Sequence, residues 1–178
     1  KLIMLNDLLV IGTGISGLTF AIKVAEQNPK LKITIISKRD ISEGNTRYAQ
    51  GGIAVVKNLK DDSIDKHIRD TIIAGDGECD RSVVKFVVEE ANARLDELIE
   101  WGAEFDMNKE QLDLGIEGGH SEKRIVHYKD QTGKQIQDVL TTKIKSFPNI
   151  NLLENHTLVD LITDHHSIQK KGRCYGAY

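Results

Sequence analysis

The chain has 178 residues, 39% of them apolar and 29% charged, with a formal net charge of −3. That length and balance suit a folded domain with a real core and argue against disorder. Lys and Arg are scattered without a basic stripe, which argues against a nucleic-acid partner, and no apolar run approaches the roughly 20 residues of a membrane span. The start "KLIMLNDLLVIG" has no small-residue cleavage site before its first glycine turn. The expectation is therefore a cytoplasmic protein with no membrane partner.

Leu8, Leu9, Val10 and Ile11 form a continuous apolar run, the pattern of a parallel strand covered on both faces, and Gly12 stops it. Gly12-Thr-Gly14-Ile-Ser-Gly17 follows, and Leu18, Ala21, Ile22 and Ala25 then recur at helical spacing. Asn28-Pro29-Lys30 breaks that helix, and "LKITIIS", residues 31–37, supplies a β-branched second strand. Three glycines alone are a weak signal, since an ordinary strand-to-helix turn can carry them. Set between a strand and a helix, they fit a dinucleotide site: the first glycine permits the turn, the second lets pyrophosphate approach, and the third lets helix and strand pack. Phosphate would rest on the helix N-terminus.

The second strand lacks the acidic residue that usually holds a ribose, ending instead Ile36-Ser37-Lys38-Arg39. Lys38 and Arg39 could meet a 2′-phosphate, so this motif leaves NADP open. Next, residues 42–56, "SEGNTRYAQGGIAVV", place Asn45, Thr46, Tyr48 and Gln50 beside Gly44, Gly51 and Gly52. A polar surface loop is the simplest account. Its continuation into buried-looking "IAVV" suggests instead glycines running beneath something flat.

Downstream, "DSIDKHIRDTIIAG" puts Ile64, Ile68 and Ile72 on one helical face, with Asp62 or Ser63 as N-cap, Gly75 as stop and His67 on the solvated side. Asp80 opens a longer helix with an apolar stripe of Val83, Val84, Val87, Val88, Ala91, Leu95, Leu98 and Ile99, and Trp101 packs at its end. Residues 132–147 form another helix, ended by Pro148. It should lead by a right-handed crossover to a third parallel strand over 151–154. "TLVDLIT" and "RCYGAY" read as further strands. Cys79 and Cys174 have no metal-ligand spacing and read as buried thiols, and the histidines, of which only His165 and His166 adjoin, make no metal pattern.

Gly12-x-Gly14-x-x-Gly17, the Ser37-Lys38 strand end, "NTRYAQGGIA" and "DSIDKHIRDTIIAGDGECD" together resemble the flavoprotein family of succinate dehydrogenase, fumarate reductase and L-aspartate oxidase. The resemblance runs from residue 7 to the end. It implies an α/β chain: a Rossmann-like FAD-binding fold with a parallel sheet, helices and an added β-meander, incomplete, with residues 1–178 the N-terminal part of the FAD-binding domain. The respiratory members carry FAD on a His where this chain has Asn45, so the resemblance implies FAD held without a covalent bond. It implies Gly12, Thr13, Gly14, Ser16 and Gly17 at the pyrophosphate and Ser37 and Lys38 at the adenosine ribose. Asn45, Thr46, Tyr48, Ala49, Gln50, Gly51 and Gly52 would line the ribityl chain and flavin edge, and Val159 would offer its backbone to adenine.

"EGGHS", residues 117–121, resembles the L-aspartate oxidase branch. L-Aspartate differs from succinate by an ammonium group, and Glu117 is the carboxylate placed to receive it; the structural alternative is a turn cap or an ion pair with Lys123 or Arg124. The implied activity is oxidation of L-aspartate to iminoaspartate with oxygen or fumarate as acceptor, which opens the route to quinolinate and NAD and implies a functional link to quinolinate synthase. Rival functions are a fumarate reductase or succinate dehydrogenase subunit and a non-catalytic nucleotide-binding module. The resemblance places the family's proton-transfer Arg and substrate His residues beyond residue 178, so this piece alone is expected to be inactive and to bind FAD weakly or not at all.

Overall fold

The structure, a computed structural model, describes residues 4–164 and 172–178. His165 and His166 lie outside the described residues. In chain order the elements are β1 (Leu8–Ile11), α1 (Ile15–Gln27), β2 (Ile33–Ile36), α2 (Asn45–Tyr48), β3 (Ile53–Ala54), α3 (Ile64–Ala74) and α4 (Arg81–Glu100). Short strands follow, β4 (Met107–Asn108), β5 (Gln111–Leu112), β6 (Leu114–Gly115) and β7 (Ile125–Val126), then α5 (Thr132–Lys145), β8 (Ile150–Leu153), β9 (Leu161–Thr163) and β10 (Cys174–Ala177). The chain divides into two compact units, one of residues up to Asn45 together with Leu140–Tyr178, the other Thr46–Val139.

The first unit is built on a parallel sheet in the order β1-β2-β8, with Leu8 opposite Ile33 and Ile33 opposite Ile150. Its third strand therefore comes from where the sequence pattern puts it. β2 is central, and Ile33, Thr34 and Ile35 are buried, whereas β1 is covered less completely and Ile11 is exposed. α1 packs Leu18, Ala21, Ile22 and Ala25 inward at the predicted spacing; burying a Leu or Ile side chain contributes about 1.5–3 kcal/mol. The added strands β9 and β10 pair antiparallel.

In the second unit β3, β7 and β6 form a small antiparallel sheet. α3 starts at Ser63, whose hydroxyl accepts the Lys66 N–H at 3.1 Å, and α4 starts at Asp80, whose carboxylate accepts from Ser82 and Val83. Of the two N-cap candidates for α3 it is Ser63, because Asp62 has another partner.

Three expectations change. His67 is buried with Ile68 and Asp70, while Ile64 and Ile72 are only half-buried: α3 turns a polar strip inward because a buried cation awaits it. α4 buries Val88, Leu95 and Leu98 but leaves Val83, Val87 and Ile99 exposed, so its stripe is wider than the surface covering it. The thiols are not buried; Cys79 is half-buried and Cys174 exposed.

Candidate functional site

The turn from β1 to α1 is shaped by its glycines. Gly12 has φ +104°, a left-handed conformation that favours glycine, and its N–H donates to the Ile36 carbonyl at 2.9 Å. Gly14 is the N-cap of α1 in extended geometry and brings no side chain to the first turn. At Gly17 a Cβ would stand 2.2 Å from the Gly12 carbonyl oxygen, so only glycine fits. The end of β2 is tied in by a buried contact between the Thr13 and Ser37 hydroxyls at 3.1 Å. Ser16, Lys38 and Arg39 are exposed beside these elements.

Val159, in the same unit, is itself largely exposed. Its N–H donates to the Tyr178 carbonyl at 2.8 Å.

The "NTRYAQGG" segment is not a plain loop. Asn45–Tyr48 makes one helical turn, and residues 49–52 then lead into β3. Gly52 has φ +128°, and a Cβ there would lie 2.5 Å from the Val126 carbonyl oxygen. Gly133, which the sequence reading missed, performs the matching task from α5: its N–H donates to the Ala49 carbonyl at 2.9 Å, and a Cβ would overlap the Thr46 carbonyl oxygen. The signal was the Thr132-Gly133 pair opening that helix. Tyr48, Ala49, Gln50 and Gly51 remain exposed.

Gln50 and Gly51 also line a cleft of about 360 Å³ whose other walls include Glu117, His127, Lys129 and Asp130. The Glu117 carboxylate stands over the glycines, with Oε1 3.7 Å from where a Cβ of residue 51 would be. The proposed ion pair of Glu117 with Arg124 is not formed. Arg124 is fully buried and turned the other way: Nε and one terminal nitrogen donate to the two oxygens of Asp62 at 2.8 and 2.7 Å, and the other terminal nitrogen donates to Asp70 at 2.7 Å.

Asp70 also accepts the Ser121 N–H and hydroxyl, at 2.9 and 2.7 Å. Burial pushes its carboxyl up, but the Ser121 donors and Arg124 outweigh that and hold it down at about 2. Beside this cluster the His67 and His120 rings meet edge-on at 5.7 Å between centroids. Burial first, then the neighbouring Arg124 and His120, lowers the His67 pKa and keeps the ring neutral. His127, on the cleft wall, has Nδ1 3.1 Å from Asp106.

Gly12 at φ +104°, Gly17 with its side-chain space already filled, an N-cap without a side chain and a buried Thr13–Ser37 contact at the end of β2 suit a dinucleotide. The FAD-binding-domain family model matches residues 7–178. This chain belongs to that family. It is 42% identical to the L-aspartate oxidase of Vibrio cholerae over 97% of its own length and 32% of that protein's. Against the Yersinia pestis L-aspartate oxidase the figures are 41%, 98% and 33%. Among solved structures, a quinol fumarate reductase of E. coli superposes with a TM-score of 0.85 at 30% identity, over 90% of this chain and 27% of that one. The Sdh1 complex of Mycobacterium smegmatis gives 0.85 at 27% identity, over 97% and 30%. The chain thus spans about a third of the relatives it matches, and its mixed α/β fold is that of the FAD-binding flavoproteins.

Proposed function

We propose that this chain is the flavin-binding part of an L-aspartate oxidase, converting L-aspartate to iminoaspartate with oxygen or fumarate as acceptor. The observation that carries it is Glu117, a carboxylate beside Gln50 and Gly51 in a cleft that also holds Lys129 and Asp130. A wall of both charge signs suits a substrate that is itself zwitterionic.

FAD, when bound, supplies a two-electron acceptor for oxidising the amine. Gly12, Thr13, Gly14, Ser16 and Gly17 would hold its pyrophosphate, and Ser37 and Lys38 its adenosine ribose. Val159 would meet adenine, and Asn45, Thr46, Tyr48, Ala49, Gln50, Gly51 and Gly52 the ribityl chain and flavin edge. With Asn45 where respiratory relatives carry a histidine, the cofactor is held non-covalently. Glu117 receives the substrate ammonium and so separates L-aspartate from succinate, because only the amine offers the carboxylate a cation to pair with.

The residues 1–178 are the N-terminal part of the FAD-binding domain, and the protein works in the cytoplasm. Among the described residues no helix is long and apolar enough to cross a membrane. Its unstable imine product calls for a following enzyme, which makes quinolinate synthase the functional partner. The likeness to the fumarate reductase structure favours one alternative, a dicarboxylate reductase or dehydrogenase subunit. Oxygen uptake by the full-length, FAD-loaded protein separates the two: peroxide formed in step with L-aspartate, with succinate inert, is expected, and oxidation of succinate without peroxide from L-aspartate would overturn the assignment.

A further inference from the structure

The hairpin of β6 and β7 carries residues 116–124, and Glu117 sits near its tip. Its base is closed by the Arg124 N–H donating to the Gly115 carbonyl at 3.0 Å, and its tip by the His120 N–H donating to the Glu117 carbonyl at 3.2 Å. One helix grips the returning arm. On α3 Asp70 stands three residues after His67 and four after Lys66, and each of the three meets a different hairpin residue. Lys66 pairs with Glu122 at 2.7 Å, the His67 ring meets His120, and Asp70 takes both donors of Ser121 while holding Arg124.

These contacts differ in strength. Lys66 and Glu122 are exposed enough for water to weaken the pair. The other two are buried: His67 is 6% exposed and Asp70 7%. His67 Nδ1 and His120 Nδ1 are both shielded from solvent, and among the described residues neither has a hydrogen-bond partner. Leaving buried polar nitrogens unsatisfied costs free energy, so this ring contact is retained against a penalty. The hairpin's geometry is what it secures. Glu117 lies three residues from His120 in a stretch containing Gly118 and Gly119, the latter with φ +87°. Such a stretch has little stiffness of its own.

We propose that His67 and Asp70 are positioning residues for the ammonium site: by holding His120 and Ser121 from the α3 side, they set where the Glu117 carboxylate stands in the cleft. This rests on Glu117 as the ammonium acceptor. α3 contributes no wall to the cleft and acts only through the hairpin.

The test is His67→Gln in the full-length, FAD-loaded protein, alone and combined with Glu117→Gln, with Asp70→Asn as the second variant. Two readouts are needed, steady-state kinetics on L-aspartate and hydrogen–deuterium exchange at the amides of residues 117–121. His67→Gln should raise KM by about tenfold while moving kcat less, and that effect should vanish when Glu117 is already Gln, as for residues acting through one another. In His67→Gln, exchange at 117–121 should quicken at an unchanged melting temperature. A KM effect that persists undiminished in the double variant, or unchanged exchange in both single variants, overturns the proposal. Should Glu117→Gln alone leave KM for L-aspartate unaltered, the ammonium assignment falls, and faster exchange at 117–121 would still uphold α3 as what positions the hairpin.

Discussion

Arg124 and Asp62 face each other inside the protein as a two-pronged pair, Nε to Oδ2 at 2.8 Å and a terminal nitrogen to Oδ1 at 2.7 Å, with both side chains at most 2% exposed. The fork geometry uses Arg as a planar donor, and Asp70 accepts the remaining terminal nitrogen. Removing the cation would strand two buried carboxylates. Arg124→Ala should therefore cost about 3–5 kcal/mol, lowering the melting temperature by on the order of 10 °C. Arg124→Lys should recover only part, since an ammonium cannot serve both acids in that plane. Thermal unfolding followed by circular dichroism measures both, and a loss below 1 kcal/mol in the alanine variant would contradict the account.

Acid should unfold the protein in two stages. His67 has a lowered pKa, facing Arg124, His120, Asp62 and Asp70, so the unfolded chain binds its proton first. The stability it contributes is complete above its ordinary value near 6.5 and falls as pH drops below that. Asp70 is held down at about 2 from 3.8; its contribution is present above 3.8 and is lost as pH falls toward 2. Urea titrations from pH 8 to pH 3 should show stability level above 7 and declining below 6.5. In His67→Gln the first decline should shrink, and an unchanged curve would refute it.

Gly17→Ala and Gly52→Ala test the proposed pyrophosphate and flavin contacts separately. The first drives a methyl to within 2.2 Å of the Gly12 oxygen, the second to within 2.5 Å of the Val126 oxygen at φ +128°. Each should cost about 3 kcal/mol, because backbone has to move. Gly17→Ala should lose FAD altogether. Gly52→Ala should weaken the flavin end, seen as a changed visible absorption spectrum. Normal flavin content in both variants would remove these glycines from the site.

Glu117→Gln keeps the shape of the side chain and deletes its charge. A charge-assisted bond contributes about 1.5–3 kcal/mol, so KM for L-aspartate should rise by roughly 10- to 100-fold. Binding of succinate, which has no ammonium, should hold or improve. Equal losses for both ligands would show that Glu117 does not read the amine.

If Asn45 takes the place of the attachment histidine as proposed, acid precipitation of the yellow protein should leave all of the flavin in the supernatant. Flavin remaining with the pellet would disprove non-covalent binding.

Much of this was legible in the chain alone. The strand, glycine turn and helix from Leu8 to Gln27, the β-branched strand at Ile33–Ile36 and the helix N-cap at Asp80 are local patterns: periodicity, a left-handed turn and a short polar side chain each act within a few residues. What only tertiary structure decided is where the polar residues of α3 point. Arg124 meets Asp62 and Asp70 across 62 and 54 positions of sequence. No helical periodicity can report that a distant cation will make the polar strip of His67 and Asp70 the buried one. Burial of charge is settled by whether its counter-charge arrives, and that is a property of the folded chain.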